Sequence, residues 1–333
     1  MLEYDRNGHI IRQIFIQEDG TPIRNGFIFG GAASENEYDA QGNLVAQTLL
    51  DENLKPFVGE IGWARWKAEF DERGNVRQVA YFDADGHPIW NDEVKAPVLK
   101  TEYDDFGHRT QISYHDEDGT PINNTDSYSK VVFRYDESGN LIEKAWFDVD
   151  GNLTLAPDDY YSIVRYKYDS HRNVIEMAYY DLEDNRCVAK SNMDDFSFMR
   201  FDYDKKGYLI RQTVFSVDEK PLRIQQVLYD KYGRSSGFKF LDDDNRPVRD
   251  ETGVSSVIME RDARGLLLRQ VSFSDFQQKT PFQDILFTYD EKGDLQTVEF
   301  KYEDKRRNDL VTIDQIDEIV FGPFGEFFRL YTK

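Results

Sequence analysis

Hydrophobic and polar residues alternate in short runs along most of the chain, and the runs come in pairs. Val131, Phe133 and Tyr135 alternate with Val132, Arg134 and Asp136, and Val164, Tyr166 and Tyr168 alternate with Arg165, Lys167 and Asp169. A period of two predicts strands with one apolar and one more polar face. The pattern returns in Met199, Phe201 and Tyr203, and again in Ile285, Phe287 and Tyr289. Each run ends in Tyr-Asp-x-x-Gly or a variant of it, which is turn chemistry: Asp bonds its own downstream backbone, and Gly supplies a positive φ. A second run then leads back, as in Leu141–Phe147, Val174–Tyr180 and Leu209–Phe215. Its aromatic and β-branched residues suit a pleated surface. Strand, turn and returning strand predict a β-hairpin.

The hairpin is the repeat. With the Tyr of the Tyr-Asp pair as position 0, copies start at Tyr4, Tyr38, Phe70, Tyr103, Tyr135, Tyr168, Tyr203, Tyr229, Arg261 and Tyr289, with a worn copy at Phe321. Gly stands at +4 in ten of these eleven copies, and Arg172 takes its place in the Tyr168 copy. Pro stands at +18 in six copies (Pro22, Pro56, Pro88, Pro121, Pro221 and Pro247), after a second Asp-rich turn, and ends the hairpin. The connector to the next copy varies most. Four connectors carry an aromatic seven residues before the next pair: Trp63, Tyr128, Tyr161 and Phe196. Two are short, leaving 8 residues from Pro221 to Tyr229 and from Pro281 to Tyr289, where Pro88 to Tyr103 spans 15. Deletion there without loss of the flanking strands marks the connector as an excursion. The expected fold is all-β: a single domain over 1–333, built as an elongated, solenoid-like array of about ten stacked antiparallel hairpins of ~33 residues in one continuous twisted sheet. Residues 321–333 are the expected cap.

Phe133-Arg-Tyr135-Asp-Glu-Ser-Gly139-Asn-Leu141, and more loosely Tyr166 to Val174, resemble the YD repeat of bacterial RHS proteins and their teneurin relatives. The DxDGxP turn also resembles the MORN and YwqK-type repeats of bacteria. The resemblance covers nearly the whole chain. It implies a β-hairpin array used for binding or scaffolding, of the kind found in large bacterial surface, secreted or modular proteins. Two departures matter. RHS repeats usually carry Arg after the Gly, where this chain has Arg only at Arg234 and otherwise His9, Asn43, Asn75, His108 and Asn140. The core segment with which RHS shells process their own C-terminus is not visible, so a closed, toxin-encapsulating shell is not implied.

Charge narrows the partners. The chain has 41 basic and 63 acidic residues, a net charge of -22, which repels phosphate backbones and anionic lipid. Nucleic acid and membrane surfaces are therefore not expected partners, whereas basic protein faces are. No run of eighteen apolar residues predicts a membrane span, and the start of the chain lacks the pattern of an export signal. The expected location is cytoplasmic by default, or secreted or surface-bound if the chain is trimmed from a longer precursor. The lone Cys187 excludes an internal disulfide.

Candidate chemistry sits in turns and connectors. The acidic pairs Asp83 and Asp85, Asp116 and Asp118, and Asp148 and Asp150 fall at +13 and +15, where stacked copies would align them as calcium candidates. No copy reads DxDxDG with a distal Glu, and a plain Asx-type turn explains the same residues. Gly233-Arg-Ser235-Ser-Gly237 matches a nucleophile elbow, but it opens a returning strand where that motif needs a strand-to-helix turn. His9, His87, His108 and His171 fall in turns and read as exposed spacers. No Walker loop, dinucleotide fingerprint or metalloprotease motif occurs, so neither a cofactor nor enzymatic activity is expected. The aromatics Trp63, Trp66, Trp90, Tyr128, Tyr160 and Tyr161 read either as a stripe for a sugar or peptide or as core pegs. The expected function is a non-enzymatic repeat scaffold holding a protein partner along an extended acidic face. A carbohydrate-binding or cell-surface adhesion module is the alternative, and a hydrolase with an acidic groove is the third.

Overall fold

The computed structural model of the chain describes residues 1–26, 29–91, 95–157, 160–189, 196–250, 252–274, 276–278, 281–302, 308–312, 316–321 and 327–332. Among the described residues every named element is a strand. The chain falls into two compact units, one of Met1–Arg165 with Tyr179–Ala189, the other of Tyr166–Ala178 with Lys190–Lys333. The first contains the hairpins β1 (Leu2–Tyr4) with β2 (Ile10–Ile14), β3 (Ala33–Tyr38) with β4 (Leu44–Leu50), and β5 (Arg65–Phe70) with β6 (Val76–Phe82). It continues with β7 (Val98–Tyr103) and β8 (Arg109–His115), then β9 (Lys130–Tyr135) and β10 (Leu141–Phe147). Strands β11 (Ile163–Tyr168) and β12 (Val174–Tyr180) each run from one unit into the other. The second unit holds β13 (Phe198–Tyr203) with β14 (Leu209–Phe215), β15 (Pro221–Tyr229) with β16 (Ser235–Leu241), and β17 (Ser256–Arg261) with β18 (Leu267–Phe273). It ends with β19 (Pro281–Tyr289), β20 (Leu295–Tyr302) and β21 (Asn308–Thr312), and the hairpin of β22 (Ile316–Phe321) and β23 (Phe327–Thr332). This is the all-β, open antiparallel hairpin array that the alternation predicts. The turn of the expected cap, 322–326, lies outside the described residues.

One hairpin shows why these residues fold this way. The Asp136 N–H donates to the Asn140 carbonyl at 3.0 Å and the Gly139 N–H to the Asp136 carbonyl at 3.0 Å. Asp136 Oδ1 accepts the Ser138 and Asn140 N–H groups, each at 2.9 Å. Gly139 sits at φ 80°, the left-handed region that costs Gly nothing. Arg172, in the equivalent place, adopts φ 67° and keeps the turn bond to Asp169 at 3.1 Å. The second turn repeats the device: Asp83 Oδ1 accepts the Asp85 and His87 N–H groups at 2.9 and 2.8 Å. Beyond it Pro88 makes one isolated bridge to Phe82, and the ladder stops.

Register then sorts the side chains. Tyr135 faces Leu141 and Arg134 faces Glu143, so Ile142 at +7 is a bulge, and the same shift recurs at Tyr38, Phe70, Tyr103, Tyr203, Tyr229, Arg261 and Tyr289. Positions -4, -2, 0, +6, +9 and +11 thereby share one face. In the second unit that face is the core: Phe238, Phe240, Val257, Met259, Leu267, Ile285, Phe287 and Val298 pack together, all under a tenth exposed. The short connectors behave as expected, because β15 and β19 run without an excursion for nine residues. They make five cross-strand pairs with the preceding hairpin, whereas the long connectors leave three.

Position 0 ties one copy to the next. The hydroxyls of Tyr38, Tyr103, Tyr135, Tyr203, Tyr229 and Tyr289 donate at 2.8–3.1 Å to the +6 carbonyls of Ile10, Val76, Arg109, Val174, Leu209 and Leu267 in the copy before. Arg261 keeps the link with its guanidinium, Nε reaching Ser235 O at 3.5 Å. Phe70 has no hydroxyl to offer Leu44.

Candidate functional site

The aromatic candidates separate by burial. Trp63 and Tyr128 are 5% and 7% exposed and act as core pegs. Tyr128 meets Tyr114 edge-on, with the two hydroxyls 3.2 Å apart. Tyr161, half-buried, packs between Trp146 and Tyr179, with ring centroids at 5.5 and 4.6 Å. Trp66 is half-exposed, while Trp90 and Tyr160 stand out at 48% and 55%. The six therefore do not form one stripe.

What the structure does assemble is an apolar cleft of about 380 Å³ over β5 and β6. Trp66, Ala68 and Phe70 from one strand meet Val76, Val79 and Tyr81 from the other, because the bulge puts all six on one face. Trp63, Phe29 and Ile61 complete it from the connectors, so every lining side chain is apolar or aromatic.

The acidic turns are occupied by their own backbone. Asp83, Asp116 and Asp148 each accept a turn N–H at 2.8 Å, from His87, Thr120 and Asn152. Asp85, Asp118 and Asp150 are exposed. The His87 backbone bond leads the interactions that hold the Asp83 carboxyl below the usual carboxylate range, and the Asn152 backbone bond does so for Asp148. Among the described residues one group, Asp83, Asp85 and His87, brings three ligand atoms within 4.8 Å of one another. Hard cations of the calcium type take six to eight oxygens, and Asp83 already serves its turn.

Two of the turn histidines do more than fill space. His9 and His108, half-buried, place Nδ1 2.9 Å from the carboxylates of Asp5 and Asp104 and stack on Tyr38 and Tyr135 of the following copy. Asn43, Asn75 and Asn140 give the same bond to Asp39, Asp71 and Asp136 at 2.9 Å, and Arg234 gives it to Asp230. A side-chain N–H at +5 adds this bond where His, Asn or Arg stands there, while Tyr208, Leu266 and Asp294 keep the turn with the +5 backbone N–H alone. Ser235 lies in β16 with its hydroxyl buried and no hydrogen-bond partner, the opposite of an activated nucleophile. Burial pushes the Cys187 thiol up to about 11, away from reactivity.

Two features escaped the sequence. On the face opposite the core, the +8 residue of one copy pairs with the -3 residue of the next: Glu143 with Arg165 at 2.8 Å and Glu176 with Arg200 at 3.0 Å. Glu176 also takes Lys167 Nζ at 2.7 Å. In the first unit the same face holds a polar cleft of about 500 Å³ that includes Lys100, Ser113, His115 and Lys130. Only register places these four together, since they come from three strands of two successive hairpins.

No family model matches the chain, and no curated protein matches it. Among solved structures, a crystal structure of TcdB2-TccC3 aligns with 98% of this chain and 21% of its own at 14% identity and a TM-score of 0.38. A Tc holotoxin pore from Photorhabdus luminescens aligns with 99% of this chain and 21% of its own at 14% identity and a TM-score of 0.36. A porin-like protein from Bacteroides uniformis aligns with 84% of this chain and 87% of its own at 11% identity and a TM-score of 0.21. The chain spans about a fifth of the toxin chains it matches. The fold assignment rests on the hairpin geometry itself.

Proposed function

We propose that this chain is a non-enzymatic hairpin-repeat scaffold that holds a protein partner, in keeping with its resemblance to YD repeats. The partner segment carries basic residues around an apolar anchor. The observation that carries this reading is the cleft over β5 and β6, about 380 Å³ and lined by apolar and aromatic side chains alone. A sugar needs carboxylates or amides beside the ring it stacks on, and none lines this cleft, so an aliphatic or aromatic protein side chain fits it better. Charge selects the flanks: the second turns expose Asp85, Glu117, Asp118, Asp150 and Glu183, within a net charge of -22.

Selection of displayed random peptides on the immobilised chain, with a glycan array run in parallel, tests the proposal. Enriched peptides should pair Lys or Arg with a large apolar residue, lose affinity in Trp66→Ala, and weaken as salt rises. Glycan binding abolished by Trp66→Ala, or no peptide enrichment at low salt, refutes it.

A further inference from the structure

The polar cleft lies on the other face of the same sheet region, and register gives it an order. Gln78 on β6 faces Lys100 on β7, Lys100 faces Ser113 on β8, and Ser113 faces Lys130 on β9. Directly opposed residues on one face stand about 5 Å apart at Cβ, so Ser113 sits between two lysines. Ser113 Oγ is 2.9 Å from His115 Nε2, and His115 Nδ1 is 3.0 Å from the Gly119 carbonyl. A carbonyl can only accept, so Nδ1 carries the proton and Nε2 accepts the Ser113 hydroxyl. Both residues are 8% exposed.

In two copies of the equivalent row a carboxylate stands directly opposite an arginine, Glu143 for Arg165 and Glu176 for Arg200, whereas Arg211 faces Gln226 and Lys67 faces Ala46. Opposite Lys100 stands Gln78, whose amide is turned to Glu69 at 3.4 Å. The other acids lining the cleft are engaged as well: Glu102 accepts Gln111 Nε2 at 3.1 Å and Asp148 accepts the Asn152 N–H at 2.8 Å. Lys100 and Lys130 make no ion pair among the described residues, and the Lys130 ammonium stands 5.5 Å above the Phe147 ring. Lys100 and Lys130 thus stand without a direct ion pair beside Arg77 and the carboxylates Glu69, Glu102 and Asp148, in a cleft large enough for a small organic acid.

We propose that this cleft binds a carboxylate over Ser113, between Lys100 and Lys130, where the ligand gives Lys100 the ion pair that Glu143 and Glu176 give Arg165 and Arg200. The site goes beyond the scaffold reading, since it takes an acid where the partner segment is basic, and it lies on the opposite face from Trp66. Burial, with Lys100 adding to it, pushes the His115 imidazole down from its ordinary value. A bound carboxylate acts in the other direction, which makes the ring a reporter.

The chain has five histidines, so ring-nitrogen NMR on protein labelled at histidine resolves each. Succinate and an acidic peptide are titrated separately, with inorganic phosphate as a comparison. The expected result is a saturable shift confined to His115. Lys100→Gln should weaken it about tenfold or more, the loss of one charge-assisted contact. Gln78→Glu, which supplies the carboxylate from within the chain, should weaken it too, while the other four histidine signals stay in place in both variants. A response to succinate assigns a small acid, and a response to the peptide alone assigns an acidic segment of a macromolecule. Unmoved His115 signals with both ligands, a stronger response to phosphate than to either, or equal affinity in Lys100→Gln overturns the proposal. Because Trp66→Ala reads the other face, the two proposals fail separately.

Discussion

The tyrosine at position 0 should be worth about one hydrogen bond to each junction between copies, and the chain contains its own control. Tyr103 donates its hydroxyl to Val76 O at 2.9 Å, whereas Phe70, in the equivalent place, leaves Leu44 without that donor. A neutral hydrogen bond contributes about 0.5–1.5 kcal/mol net. Tyr103→Phe keeps the ring and should cost about 1 kcal/mol, while Phe70→Tyr should return a similar amount. One denaturation midpoint is a poor reporter for a chain of repeats in two units, because cooperativity across the array is not assured. Native-state hydrogen exchange reads each hairpin by itself. Amides at the junction of β6 and β7 should exchange about fivefold faster in Tyr103→Phe, and those at the junction of β4 and β5 about fivefold slower in Phe70→Tyr. Unchanged exchange in both variants would show that position 0 is selected for its ring alone and would remove the hydroxyl from the account of how copies join.

Three further outcomes follow from the turns and connectors. Asp39, Asp71 and Asp169 are held below their ordinary 3.8, chiefly by the side chains of Asn43, Asn75 and Asn173. A carboxyl lowered by folding contributes stability above its unfolded value and loses it as pH falls through the folded one, so thermal melts should drop steeply below about pH 4, and less so in Asp71→Asn. Arg172→Gly should stabilise its hairpin by up to about 1 kcal/mol, the left-handed strain less the added freedom of the unfolded chain; faster exchange of the β12 amides would contradict this. The hydroxyls of Ser162 and Ser197 are buried with no partner, where earlier copies place Ala32 and Ala64. Ser162→Ala and Ser197→Ala should leave stability unchanged or raise it by about 1 kcal/mol, and a loss in urea melts would reveal a bond these hydroxyls do make.

Much of the fold is legible because its turns are local. Asp at +1 and Gly at +4 act within five residues, so the pattern predicts both the hairpins and the limits of strands such as Leu141–Phe147. The bulge at +7 is not legible, since Ile142, Ile11 and Leu268 look like ordinary alternating positions. Without it, the returning strand would present the wrong face and the cleft around Trp66 could not be foreseen. Connector aromatics were ambiguous for a related reason. Trp63 and Trp90 have the same chemistry, and only burial, at 5% against 48% exposed, separates a peg from a surface group. The Lys100 row was beyond reach because its members come from β6, β7, β8 and β9, and a one-residue change in register would disperse them.

This division bears on where recognition can reside. Positions 0, +1, +4, +5 and +6 are bound into turns and junctions in copy after copy, so substitution there changes the scaffold before it changes any ligand. The pair at +8 and -3 is under no such constraint: it reads Arg12 with Glu35, Ala46 with Lys67, Gln78 with Lys100 and Glu143 with Arg165 in successive or nearby copies. Some of these pairs satisfy themselves and some do not. Exchanging Gln78 and Glu143 in one double variant should therefore answer Lys100 from within the chain and abolish the carboxylate response at His115, with Arg165 left to Asp184, while the hairpins on both sides keep their hydrogen-exchange pattern. A response that stays at His115 after the exchange would place the selectivity in Ser113 and His115 and deny the row any part in it.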